Sequence, residues 1–301
     1  MNKFVKSIIS FLAPVLSCLL LFFLIIIVIS QFLIRKSKQY HFKENINIVF
    51  LGDSHITNAV MDTLIPNAVN LSKRSEPYYY TYQRLKFISN KSKIDKVVLG
   101  YSYHNLSAYY DEFINGNLST VMPQKLFFCL DFSEQLRVLN WNRKKLFLVL
   151  KNIFISAYYQ YYNLENKKND YWFYDGYNNT FAFAQVKLKH LEDRILFQFY
   201  KNEIASEFAD LNIIYLNKII AFCKSKNISL TFLTTPLHYQ YINKIPNKFK
   251  SKFNSFDLKN RINRINLENL ILSDSCFVPD GDHVTIKGAE ITTRTLIREL
   301  N

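Results

Sequence analysis

The chain has few of the residues that staple a small fold or hold a metal. Only four of its 301 residues are cysteine. Cys18 falls in the apolar N-terminal segment, and Cys129, Cys223 and Cys276 are scattered through the rest, an odd, widely spaced set that is no disulfide framework. No CxxC or HExxH spacing occurs, so neither a metal site nor a cofactor is expected. Internal repeats and low-complexity tracts are absent, as are helix-turn-helix, zinc-finger and RNP signatures. A nucleic-acid partner is therefore set aside, although Lys and Arg outnumber Asp and Glu by 38 to 24. Acids are also missing from the first 38 residues, where Lys3, Lys6, Arg35, Lys36 and Lys38 supply five positive charges; without them the net +14 becomes +9. Such an excess favours an anionic neighbour through attraction that salt screens, or reflects a composition biased toward Lys, Asn and Ile.

Charge is absent altogether from Ile8 to Ile34, where only serines and Gln31 interrupt the apolar run. That exceeds the roughly 20 apolar residues needed to span a bilayer, whereas a signal peptide has an apolar region of about 7–15 residues and a small-residue cleavage site. The expectation is a membrane anchor over residues 1–38, with its helix at about 8–34, followed by one α/β domain over 39–301. The flanking charges lean toward a cytoplasmic C-terminal domain, but that rule loses force for long translocated segments.

Beyond a charged linker, INIVFLG is a short β-branched run ending at Gly52 and reads as a buried strand. Similar runs recur at 68–72 (AVNLS), 96–100 (KVVLG), 229–236 (SLTFLTTP) and 269–273 (NLILS). Helical patterns lie between them, at 80–89, 208–227 and 286–300. Strands alternating with helices predict a flavodoxin-like, three-layer parallel sheet covered on both faces. Residues 106–204 break the rhythm and are rich in aromatics, which predicts a mostly helical insertion. Its aromatic and lysine mixture suits a core, a membrane surface or a glycan-binding wall.

The chemistry-bearing residues sit at opposite ends of this domain. GDSH (52–55) follows the first strand, which puts Ser54 at the sheet edge where open α/β folds place their ligands. A serine hydroxyl needs an adjacent base, and the base a third group to set its tautomer. PDGDH (279–283) precedes the last helix and offers both: His283 as base and Asp280, three residues earlier, as its orienter. Asp282 is the rival orienter, although adjacent side chains usually diverge. A loop serine and a capping aspartate are the plain alternatives.

GDS after the first strand and DxxH before the last helix resemble the SGNH/GDSL hydrolase superfamily over residues 45–301. The resemblance implies a Ser54–His283–Asp280 triad and an oxyanion hole built from Ser54, Asn105 of GYSYHN (100–105) and a turn after AVNLS. The family's glycine in that turn is missing; Ser72 or Ser75 would have to present the backbone N–H instead, and each absent donor costs about 3 kcal/mol of transition-state stabilisation. With the anchor, the pattern resembles membrane-anchored bacterial proteins of surface-polysaccharide acyl modification. That implies a serine acyltransferase or esterase outside the cytoplasmic membrane, acting on a cell-surface glycan and working beside a membrane O-acyltransferase. A non-catalytic accessory protein of the same fold is the alternative. His238 and Tyr239, after the fourth strand, are expected to contact substrate.

Overall fold

The computed structural model describes residues 3–36, 42, 45–165 and 176–300. The chain begins with one long helix, α1 (Lys3–Lys36). Its stretch Phe4–Arg35 is long and apolar enough to cross a membrane, and its most apolar window is not buried against the rest of the protein.

The sheet is laid down in short, apolar strands: β1 (Ile48–Leu51), β2 (Ala68–Asn70) and β3 (Lys96–Gly100), with α2 (Ser54–Ala59) after β1 and α3 (Tyr78–Ser89) after β2. The insertion follows with α4 (Val121–Leu126), α5 (Phe132–Trp141), α6 (Leu146–Glu165), α7 (Leu188–Phe199) and a ribbon of β4 (Tyr200–Lys201) and β5 (Ile204–Ala205). The α/β pattern then resumes with α8 (Leu211–Ser225), β6 (Ser229–Thr234), α9 (Tyr239–Lys244), α10 (Asn247–Asn260), β7 (Asn263–Asn266) and α11 (Ile286–Leu300).

The five sheet strands run in the order β2-β1-β3-β6-β7, all parallel. Parallel pairing brings every carboxyl end to one edge, and the chain reverses its winding direction between β1 and β3. Alternation along β1 sends Val49 and Leu51 into a large core shared with α3, α8 and the insertion, and Phe50 into a second core with Ile56 of α2 and Leu296 of α11. Helices thus cover both faces, as the strand–helix alternation predicts.

One expectation is corrected. The run at 269–273 is not a strand: Ile271 is 97% exposed, and the edge position is taken by β7, which is polar except for Ile265. An edge strand buries one face weakly, so its apolar signal is thin, and ladder hydrogen bonds to Thr231–Thr234 select it instead. The insertion takes up the core setting that its composition suits: Phe127, Phe128, Val138, Val149 and Ile153 join the main cluster. Of its aromatic centre at 171–183, residues 171–175 lie outside the described residues.

Candidate active site

Ser54 owes its position to close packing behind it. Gly52 has φ +141°, and a Cβ there would meet Ile56 Cγ1 at 3.0 Å and the Gly100 backbone at 3.2 Å. Only glycine lets β1 end so near β3 and turn at once into α2. Asp53 caps α2, its carboxylate accepting from the His55 N–H at 2.9 Å, and Ser54 is the helix's first residue.

The loop before α11 reaches the same edge. It is pinned by the Phe277–Val284 bridge and by hydrogen bonds from Val278 N to His283 O and from Gly281 N to Val278 O, both 3.0 Å. Gly281, at φ +67°, makes the reversal; a Cβ would press on Leu191 and His238. Asp280 Oδ1 accepts from the backbone N–H of Asp282 (2.9 Å) and His283 (3.2 Å), which holds its other oxygen 2.9 Å from His283 Nδ1. His283 Nε2 lies 2.8 Å from Ser54 Oγ. The three predicted residues therefore form one hydrogen-bonded chain. Asp282 Oδ2 is 4.0 Å from His283 Nδ1 and points elsewhere.

Asp282 is the centre of a buried second layer. It accepts from Arg194 Nε (2.7 Å) and Gln198 Nε2 (2.9 Å) of α7, and its other oxygen forms an ion pair at 3.0 Å with His55 Nε2, off the line of a hydrogen bond. Burial would raise its pKa, but His55, Arg194 and His283 hold it well below the ordinary carboxylate value. Burial likewise opposes charge on His55, yet Asp282 and Asp53 outweigh it and raise the His55 pKa. Asp280, pushed up by burial, is drawn lower by His283. His55, Asp282 and His283 bring donor atoms within 4.8 Å of one another, the grouping that could take a metal ion. Arg194 and His55 already face Asp282, so a cation would have to compete with them for its oxygens.

Asn105 departs from expectation. Its Nδ2 donates to Asp53 Oδ2 at 2.8 Å, and its Oδ1 accepts from Ser102 N at 2.8 Å. His104 Nε2 (2.9 Å) and the Tyr110 hydroxyl donate to the same Asp53 oxygen. Asn105 thus holds the acid that precedes Ser54, and Asn105→Asp would set two buried carboxylates against each other rather than remove an oxyanion donor cleanly. In the turn after β2, Ser72 N is taken by Asn70 Oδ1 at 3.0 Å, whereas Ser75 has φ +63°, the left-handed region that glycine favours. Among the described residues, the backbone N–H groups of Ser54 and Ser75 have no protein acceptor.

His238 and Tyr239 do not line the Ser54 cleft. The His238 ring is buried beneath the loop, 3.2 Å from Asp274 Oδ1 and against Phe277, because its backbone caps α9 and its N–H donates to the Gly281 carbonyl; Tyr239 projects outward. The cleft itself, about 390 Å³, is walled by Ser54, His283, Asp280, Arg74, Phe181 and His190. Arg74 Nη2 donates to Asn58 Oδ1 at 3.1 Å and to Asn178 O at 2.5 Å. Arg194, Gln198 and Tyr110 escaped sequence reasoning, since no local pattern marks an insertion side chain as the partner of a distant aspartate. His55 stood in view within GDSH, without an assigned role.

No protein-family model and no curated protein matches the chain. Solved structures do resemble it. A "putative acylhydrolase" from Bacteroides fragilis is 12% identical, covering 86% of this chain and 90% of its own, with TM-score 0.38. A "putative platelet activating factor" from Streptococcus pneumonia is 12% identical over 97% and 99%, at 0.40. A GDSL-like lipase from Bacteroides thetaiotaomicron is 10% identical over 86% and 91%, at 0.37. The likeness is to acylhydrolase and GDSL-like structures.

Proposed function

We propose that the protein is a membrane-anchored SGNH-type serine esterase or acyltransferase acting on ester-linked acyl groups of a cell-surface glycan. The observation that carries this reading is the unbroken chain from Ser54 Oγ through His283 to Asp280, at 2.8 and 2.9 Å. Asp280 accepts from Nδ1–H, which leaves Nε2 bare to take the Ser54 proton as Oγ attacks the ester carbonyl. The tetrahedral intermediate leans on the free Ser54 and Ser75 N–H groups. His283 returns its proton to the departing alcohol, and an acyl group remains on Ser54. Water or a sugar hydroxyl, deprotonated by the same ring, then takes the acyl group.

Transfer is favoured over hydrolysis by the anchor, since a tethered domain meets membrane-proximal hydroxyls at high effective concentration. Such acceptors require the domain to lie outside the cytoplasmic membrane, and a C-terminal alkaline phosphatase fusion would then be active. A serine-reactive phosphonate should label Ser54 and not the Ser54→Ala variant. An activated acetyl ester, supplied with and without candidate polysaccharide, should give acetylated glycan at the expense of free acetate. Release that ignores the acceptor means an esterase; no labelling, with cellular function intact in Ser54→Ala, means a non-catalytic accessory protein.

A further inference from the structure

The domain grips α1 along only part of its length, and the helices that grip it leave large apolar side chains uncovered. A 34-residue helix is about 51 Å long, roughly 20 Å more than a bilayer's hydrocarbon core of about 30 Å. The domain takes hold toward its C-terminal end: Phe23, Ile26 and Ile27 pack against the main core, Ser30 and Ile34 are buried, and Gln135 Nε2 of α5 donates to Gln31 at 2.6 Å. The opposite face of the same stretch, from Leu24 to Phe32, stays apolar and exposed.

That exposed face continues onto the insertion. Phe154, Ala157 and Tyr158 of α6 border one groove with Ile26, Ile29 and Leu33 of α1. While Val149, Ile153 and Ala157 point into the protein, Phe147, Lys151, Phe154 and Tyr158 form an outward stripe at helical spacing, with Phe147 85% exposed. On α5, Phe132 (71% exposed) and Leu136 are likewise uncovered beside the Gln135 that binds α1. At the end of α1 a hollow is lined by Arg35, Lys86 and Lys91; Asp131, the one acid among its described lining residues, is shared by Arg35 at 3.8 Å and Lys86 at 2.9 Å.

We propose that the α6 stripe, with Phe132 and Leu136 of α5, is a lipid-contacting seat by which the domain rests in the interfacial layer of the bilayer that α1 crosses, with anionic phospholipid headgroups meeting Arg35 and Lys86. The proposal rests on α1 being a membrane span. Lipid fits better than a protein partner because the stripe runs on from the lipid-facing side of α1. Its make-up of aromatic rings around one lysine, which can lift its charge to the headgroups, suits the membrane interface. The basic hollow at the same level matches an anionic surface. Seated this way, the Ser54 cleft keeps a set height and tilt above the membrane instead of swinging from its anchor.

The test uses the full chain in a Cys18→Ser background, reconstituted into phosphatidylcholine vesicles containing phosphatidylglycerol. Nitroxides are placed at Phe147→Cys, Phe154→Cys and Phe132→Cys, with Leu16→Cys as an α1 control and Lys201→Cys as a solvent control. Oxygen should reach the first three sites severalfold better, relative to a water-soluble nickel chelate, than it reaches position 201. If position 16 is itself open to nickel, the span has failed. If position 16 lies in lipid while 132, 147 and 154 behave like 201, the seat is overturned and the face belongs to a protein partner. Replacing phosphatidylglycerol by phosphatidylcholine should lower the oxygen preference at 132, and no change there would remove the headgroup contact.

Discussion

The α/β shell and the insertion reach the site by different physics. Shell residues arrive by backbone geometry: Ser54 at the end of a strand, His283 and Asp280 on a loop closed by its own amide hydrogen bonds. Insertion residues arrive as side chains thrown across the domain, with Arg194 and Gln198 reaching Asp282 and Tyr110 reaching Asp53. The first set can react; the second holds charges in place under the reacting groups. The insertion is therefore part of the scaffold.

The sharpest break between the two acids of the DGDH loop should come from Asp280→Asn and Asp282→Asn. Asp280→Asn imposes the wrong imidazole tautomer and should cut ester turnover by about 10³–10⁴, with a smaller drop in melting temperature than Asp282→Asn. Asp282→Asn should chiefly lower the melting temperature. Equal losses of turnover would make Asp282 a second orienter.

Next in size is Arg194→Met, which takes the guanidinium from a fully buried carboxylate. Breaking such a pair costs about 3–5 kcal/mol when both partners are buried, and with the Arg194 side chain 22% exposed we expect about 2–3 kcal/mol, read as a shift in the urea midpoint. An unmoved midpoint would make the insertion a passenger.

The same layer should show in the pH dependence of stability. The His55 pKa is raised above its ordinary 6.5, so its contribution is complete below about pH 6.5 and lost as pH climbs through the raised value. Asp280 and Asp282 are lowered from 3.8, so theirs is complete above about pH 4 and lost as pH falls through the lowered values. Melting temperatures should decline above the His55 limit, and His55→Gln should flatten that alkaline decline while leaving the acid limb.

The smallest effect belongs to the shell. Ser75→Gly relieves a left-handed backbone at φ +63° and should stabilise by about 0.5–1 kcal/mol, with turnover of the activated ester within about twofold. A loss of turnover would assign the Ser75 side chain a role in the oxyanion turn.

Much of the shell was legible because its signals are local. The β-branched runs at 48–51, 96–100 and 229–234 and the helix at 286–300 are written in hydrophobic period and end residues, and lie where those patterns place them. GDSH and DGDH were legible as turn chemistry beside a strand and a helix. The exception, 269–273 against 263–266, is an edge, where one weakly buried face leaves little pattern to read.

The sequence by itself determined the alternation of strands and helices, the long apolar helix and the candidate Ser54, Asp280 and His283, since each depends on neighbours a few residues away. Only the tertiary structure decided which polar atoms meet. It turned Asn105 toward Asp53, buried His238, and joined Arg194 to Asp282 across 88 residues of chain. Such pairings follow from how helices pack over a sheet, and a buried charge accepts whichever partner that packing delivers, so no local pattern announces them.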